Sequence, residues 1–405
     1  MENWARNVTY QASEIHHPTS LTELRDVVAR TDRIRALGTR HAFNRIADTT
    51  AALVSVADLP PEVELDTQAS KVRVSAGLRY ADIASHVDGY ALANLASLPH
   101  ISVAGAVATA THGSGMRNGS LSTAVSGLEI VTADGDLVSI SRGDPDFPGA
   151  VVNLGALGVV TSLTLDLVPA FDIKQYVYDD LPFDEDLVGV LGGAYSVSLF
   201  TDWSGPTINQ VWVKQRTTDP DLAVPATPAD GPRHPVPGMP TENCTQQLGV
   251  AGPWYERLPH FRPEFTPSSG EELQAEFMVS RDNAREALNA VNEIRDHIHP
   301  VLQTSEIRTI AADDQWLSPY YERDTVSIHF TLVADTEAVL PVISLVERQL
   351  EPYEPRPHWA KLFTLDPGTV RSRYPRLGDF RDLAHRLDPN GKFRNRFVDG
   401  LLDES

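Results

Sequence analysis

Residues 325–333, TVSIHFTLV, place Thr325, Ser327, His329 and Thr331 at alternate positions, with Val326, Ile328, Phe330 and Leu332 between them. Successive side chains of a β-strand point to opposite faces, so this segment carries one apolar face and one polar face. The apolar face must pack on a core, and the polar face is free to meet something else. Other long alternating segments fill residues 171 to about 370, broken by Pro-rich stretches at 217–240 and 252–269 that suit surface loops or a rim. "REALNAVNEIRDHI" (285–298) reads as a helix in the same region.

The chain has 405 residues, longer than one core usually serves, so two domains or one domain with a large insert is expected. Ser20 and Glu23 have capping-box spacing, and Leu21, Leu24, Val27 and Val28 recur at helical intervals, which predicts a helix over about 21–30. "RIRAL" then reads as a strand leading into the turn "LGTRHAFNRIAD" (37–48). "ALVSV", "EVELDT" and "KVRVSAG" alternate as short strands, and "RYADIASHV" reads as a helix. Asp134 and Gly135 supply turn chemistry for a hairpin in "GLEIVTADGDLVSISRG". "FRDLAHRLDPNGKFRNRF" near the C-terminus is a short helix ending in turn signals.

Thirty-four Lys and Arg against 55 Asp and Glu give a net charge of −21. Nucleic acid and anionic membranes need clustered cations, so neither is an expected partner. The single cysteine, Cys244, allows no internal disulfide and no thiolate metal cluster. "HIH" at His297–His299 and "HH" at His16 and His17 raise a metallohydrolase reading, but no HExxH motif and no carboxylate at ligand spacing supports it. No metal is expected. The N-terminus lacks a basic region followed by an apolar run, and no apolar stretch reaches a membrane span, so a soluble cytoplasmic protein is expected.

Residues 96–120, "ASLPHISVAGAVATATHGSGMRNGS", consist almost wholly of Gly, Ala, Ser and Thr, which lets backbone N–H groups approach a ligand closely. Gly113, Gly115 and Gly119 miss the GxGxxG spacing by one, so tight packing alone explains the composition equally well. "GTRHAFN" followed by "ASLPHISVAGAVATATHGSG" resembles the FAD-binding domain of the vanillyl-alcohol oxidase superfamily. "EIRT", "HFT", "HWAKLF" and "DPNGKFRN" extend the match over nearly the whole chain, nearest to the alditol (xylitol) oxidases and next to sugar-lactone oxidases. Ala42 stands where many relatives have Ser, and Arg40 where they have a small residue.

The resemblance implies FAD bonded covalently through His41, a role that suits a neutral imidazole in a stiff turn. It implies a flavin site lined by Ala36, Leu37, Gly38, Thr39, Arg40, His41, Ala42, Ser97, Ser102, Gly105, Thr109, Thr111, His112 and Val160. It also implies a polyol site of Ser97, Glu306, Arg308, Thr331 and Lys361, in which the carboxylate accepts and the cations donate hydrogen bonds to hydroxyls. Arg308 and Lys361 are the expected catalytic cations, and His329, on the face of Thr331, is the candidate proton acceptor. Ala96 leaves room for oxygen. The implied reaction is oxidation of a terminal primary alcohol of a polyol with reduction of O2 to H2O2, and a sugar-1,4-lactone oxidase or dehydrogenase is the alternative.

The expected fold is α+β in two parts, a vanillyl-alcohol-oxidase-type flavoprotein. An FAD-binding α+β domain spans 1–170, and a substrate domain with an antiparallel sheet covered by helices spans 171–371. A segment over 372–405 returns to the FAD-binding domain. The expected assembly is a monomer or small homo-oligomer.

Overall fold

A computed structural model describes residues 1–403. Strands Glu14–His16, Ala52–Val54 and Ile34–Ala36 form a small parallel sheet with Ala52–Val54 in the middle. Helix Leu21–Arg30 connects its two outer strands. The Ser20 hydroxyl accepts from the Glu23 N–H at 3.2 Å, and the Glu23 carboxylate reaches back to the Thr19 N–H at 2.8 Å, so the predicted cap forms with its return bond one residue early. Leu24, Val27 and Val28 are buried, whereas Leu21 is exposed.

A second, antiparallel sheet runs in the order Val63–Asp66, Lys71–Ser75, Val159–Asp166, Val125–Val131, Leu137–Ser141. The predicted hairpin closes at Gly135, whose φ of +80° is open to glycine. A Cβ there would lie 2.8 Å from the Arg25 carbonyl, because this turn packs against helix Leu21–Arg30. "RYADIASHV" gives only helix Tyr80–Ile83 and a 3-10 turn over Ala84–His86.

The third sheet has nine strands, all from residues 172–357 and all antiparallel. Its central strands are Ser196–Thr201, Leu302–Ile310, Thr325–Leu332 and Leu273–Ser280, in that order. Ile328, Phe330, Ile307, Phe277 and Ala275 pack with Leu288, Val291, Val339 and Ile343 in one core, so helices Ala284–Glu293 and Thr336–Leu350 cover that face. The expected helix over 285–298 divides into Ala284–Glu293 and Arg295–Ile298. Between them Ile294, at φ −104° and ψ 12°, bonds back to Val291 and tightens the turn to i−3.

The C-terminal segment packs on the N-terminal sheet. Lys392 Nζ donates to the carbonyls of Val28 and Ala133, each at 2.7 Å, and Asn395 Nδ2 to those of Ile46 and Asp48. Arg35, 2% exposed, meets four carbonyls, those of Ile46, Leu154, Gly155 and Phe393, and so fastens three stretches of chain with one guanidinium. No helix among the described residues is long and apolar enough to cross a membrane.

Candidate active site

The polar face of the nine-stranded sheet overlooks a cavity of about 930 Å³, whose other walls are residues 35–47, 96–112 and 153–160. This lies near the upper end of the range for ligand pockets. All the residues implied as flavin-lining or substrate-binding, Ala36 to Ala42, Ser97, Ser102, Gly105, Thr109, Thr111, His112, Val160, Glu306, Arg308, Thr331 and Lys361, border this one space, as do His329 and Ala96. The Pro-rich 252–269 stretch supplies Phe261, Glu264, Phe265, Thr266, Pro267 and Ser268 to its rim.

The His41 turn is held from both sides. Phe43 N–H donates to the Ala360 carbonyl at 2.7 Å, and Asn44 Nδ2 donates to the carbonyls of Trp359 and Lys361 at 2.7 and 2.8 Å. Thr39 Oγ1 accepts from the Ser102 N–H and stands 3.1 Å from His41 Nδ1, which joins the turn to the small-residue loop. Arg40 takes the strained φ of +66°, is exposed, and donates to the Glu2 carbonyl at 3.1 Å. Trp4 stacks on the imidazole at 5.5 Å and 23°. Burial, with smaller effects of His100 and Arg40, pushes His41 down to about 4, so the ring is neutral near pH 7. Its Nε2 is buried, borders the cavity and has no partner within the protein, so it is free to meet a group bound there.

Two glycines line the adjoining wall, where a Cβ on Gly38 would sit 2.7 Å from Ser102 Oγ and one on Gly105 2.8 Å from the same atom. The surface there is bare backbone that a ligand can approach closely. The orphaned imidazole nitrogen, the glycine wall and the cavity's size together fit a dinucleotide flavin.

Opposite lies the sheet, and its register sets the chemistry. Glu306 and Glu276 both pair with His329, one from each neighbouring strand, so the imidazole stands between two carboxylates. One step further, Gln274 and Thr304 flank Thr331 in the same way. Glu306 and Arg308 share a face at i and i+2, with Arg308 Nε 3.4 Å from Glu306 Oε1. Arg308 also donates to Ser97 Oγ at 3.1 Å and to Glu276 Oε1 at 3.0 Å. Lys361 donates to Glu276 Oε2 at 2.6 Å.

The hub of these contacts, Glu276, was not singled out from the sequence. It is fully buried in strand Leu273–Ser280, where an acid at the centre of an apolar run was the available signal. Burial pushes its carboxyl up, but Lys361, His112 and Arg308 together hold it well below the usual range. Its partner His112 approaches the Gly113 carbonyl through Nδ1 at 2.8 Å and Glu276 Oε1 through Nε2 at 3.0 Å. Burial lowers the affinity of the His112 ring for a second proton, and the Glu276 carboxylate opposes that shift. His112, Glu276 and His358 form the only cluster of metal-type ligands among the described residues, drawn from three distant segments. The histidine pairs at 16–17 and 297–299 gather no such cluster there. His260, also not singled out, donates from Nε2 to Glu306 Oε1 at 2.8 Å.

Buried histidines tie stability to pH. Desolvation pushes His41, His234 and His260 to about 4, and His329 and His358 well below their ordinary value. Below about pH 6.5 the unfolded chain therefore binds protons that the native state refuses, and stability falls with acidification. Asp313, raised to about 7 by burial, and Glu347, also raised by burial, act in the opposite direction but are outnumbered. The expected result is a melting temperature that drops by roughly 5 °C or more from pH 6.5 to 4.5. A flat melting profile across that interval would refute the neutral-histidine assignment.

Comparison with known proteins places this geometry. The FAD binding domain family matches residues 13–141, and the D-arabinono-1,4-lactone oxidase family matches residues 271–401. The chain is 56% identical to an alditol oxidase of Streptomyces sp. (strain IKD472), over 99% of this chain and 98% of that one. An L-gulono-1,4-lactone dehydrogenase of Mycobacterium tuberculosis is 28% identical over the same shares. Among solved structures, a cholesterol oxidase from B. sterolicum superposes with a TM-score of 0.81 at 17% identity, covering 99% of this chain and 96% of that one, a likeness of fold. The chain belongs to the alditol oxidase family of FAD-dependent, vanillyl-alcohol-oxidase-type flavoproteins.

Proposed function

We propose that the protein oxidises the terminal primary alcohol of an alditol of the xylitol or sorbitol class to the aldose. The FAD is held covalently through His41, in a cofactor domain of residues 1–170 completed by 372–405. Residues 171–371 form the substrate domain. What carries the reading is the facing of two features across one cavity: the His41 turn with its glycine wall, and a sheet face bearing Glu306, Arg308, Thr331 and Lys361 beside Ser97. The flavin supplies a two-electron acceptor for the hydride leaving the alcohol carbon, and O2 takes those electrons with two protons to give H2O2.

The polypeptide has to position the alcohol and receive its proton. A free alcohol has a pKa near that of water, ~15.7. Arg308 and Lys361 are the two cations at hand, yet each is paired with a carboxylate, which reduces their pull on a bound alcohol. The ground-state alcohol therefore stays protonated, and its proton leaves as the hydride leaves. Arg308 and Lys361 stabilise the negative charge growing on the substrate oxygen. His329 receives the proton. Both its ring nitrogens lack partners, and burial, with Lys361 adding to it, keeps the ring neutral. Glu306 and Thr331 on the same face bind the remaining hydroxyls.

Steady-state turnover with xylitol and sorbitol, scored by peroxide release, tests the proposal against an aldonolactone. The match to the lactone oxidase family over 271–401 favours the lactone reading in second place. Faster turnover of the lactone would install it. His329→Gln keeps a polar group of similar size without a basic nitrogen, and the expected loss is about 10²-fold or more in the rate of anaerobic flavin bleaching. A variant that kept the wild-type rate and pH profile would remove His329 from the mechanism.

A further inference from the structure

Lys214 is a lysine, 1% exposed, on strand Thr207–Arg216, two strands away from Glu306. Its ammonium faces three acceptors: the carbonyls of Leu258 and Pro259, and Nδ1 of His260 at 2.9 Å. Three N–H donors meet three acceptors, so every proton of the ammonium is used. The imidazole beyond it is packed edge-on by Phe200 and Trp212. Its other nitrogen, Nε2, lies 2.8 Å from Glu306 Oε1, with Ser198 Oγ at 3.4 Å. The backbone N–H of His260 also donates to the Ser97 carbonyl at 2.8 Å, so the residue touches both halves of the polyol site.

We propose that Lys214 is a positioning residue for the polyol site: by donating to Nδ1 it bars a second proton from His260, which keeps Glu306 a full carboxylate toward the substrate. Glu306 meets both His260 and Arg308 through Oε1, which leaves Oε2 for a substrate hydroxyl. The alternative arrangement moves one proton from Nζ to Nδ1, giving a neutral amine and an imidazolium with every contact kept. Burial brings Lys214 down to about 7 and His260 to about 4, so the proton stays on the lysine. An imidazolium would instead bind Glu306 as a tight ion pair and withdraw it from the hydroxyl. The charged groups acting most on His260 are Lys214, Glu306 and Arg308.

The inference rests on Glu306 binding the polyol, and the experiment separates the two claims. Lys214→Met in the holoenzyme frees Nδ1 and removes the neighbouring positive charge, so His260 takes up a proton at a higher pH than in the wild type, with burial still opposing it. Nitrogen-15 NMR of the histidine rings, with His260 assigned by its loss in His260→Gln, should then show an imidazolium forming at a higher pH than in the wild type. In the wild type it should show one protonated and one bare nitrogen. The KM for xylitol is expected to rise about tenfold, with kcat within about twofold. Because a glutamine amide cannot take a proton, Lys214→Met should add nothing to KM in the His260→Gln background. Lys214→Gln, which keeps N–H donors for the two carbonyls, carries the same expectation if the methionine variant is too unstable. Unchanged His260 nitrogens, or an equal rise in KM in the His260→Gln background, would overturn the proposal. Should Glu306→Gln leave KM unaltered, the substrate role of Glu306 fails, while the NMR comparison still decides what Lys214 does.

Discussion

Arg308→Leu is expected to lower turnover on xylitol by about three orders of magnitude and to destabilise the fold as well. The guanidinium is 5% exposed and lies between Glu276 and Glu306 while donating to Ser97 Oγ. Its removal leaves two buried carboxylates short of a cation, and breaking a buried pair of this kind costs about 3–5 kcal/mol. Removing one preorganised donor aimed at developing charge costs about 10²–10³ in kcat, and misplacement of Ser97 and Glu306 adds to it. Arg308→Lys separates the contributions. It restores one charge but not the fork that reaches both acids and the serine, so an intermediate loss of about 10²-fold is expected. Anaerobic single-turnover bleaching of the flavin, alongside thermal melts, measures both quantities. Retention of activity within tenfold in Arg308→Leu would remove Arg308 from the catalytic group.

The parts of this molecule readable in the sequence are those whose cause is local. Helix Leu21–Arg30 follows from its cap and period, the 125–141 hairpin from Asp134–Gly135, and strand Thr325–Leu332 from its alternation. His41 stood out as a candidate because a short turn motif carries it, and its ring lines the cavity. What stayed hidden depends on strand register. Glu276 acquires meaning only when Leu273–Ser280 lies beside Thr325–Leu332, which places it across from His329 and within reach of Arg308, Lys361 and His112. Lys214 and His260 are 46 residues apart and meet through a loop that no periodicity predicts. Taken in isolation, Glu306 and Arg308 read as an exposed strand pair. The sheet buries them because the face opposite the helices closes over a cavity and not over water. The net charge of −21 carried no hint that the site's electrostatics rest on the buried Arg308 and the half-buried Lys361 among paired acids.

His41→Ala bears on how the cofactor is held. In the wild type the polypeptide should remain yellow after denaturation, and in the variant the colour should separate from it. The imidazole is neutral, braced by Thr39 and Trp4, and keeps a buried nitrogen that nothing in the protein satisfies. The cavity wall at Gly38, Ser102 and Gly105 does not depend on that ring, so the variant should still bind FAD noncovalently. Its turnover should nonetheless fall by about tenfold or more, for two separable reasons. A tether holds the reacting ring at high effective concentration, and its loss is recovered by adding FAD. A bond to the imidazole also withdraws electron density from the ring and makes it a stronger oxidant, and no amount of added FAD recovers that. Activity restored fully by excess FAD would leave the tether as the whole effect. A wild-type chain that runs colourless on a denaturing gel yet is yellow when native would refute the covalent bond and leave the alditol site intact, since Glu306, Arg308, Thr331 and Lys361 belong to the opposite wall.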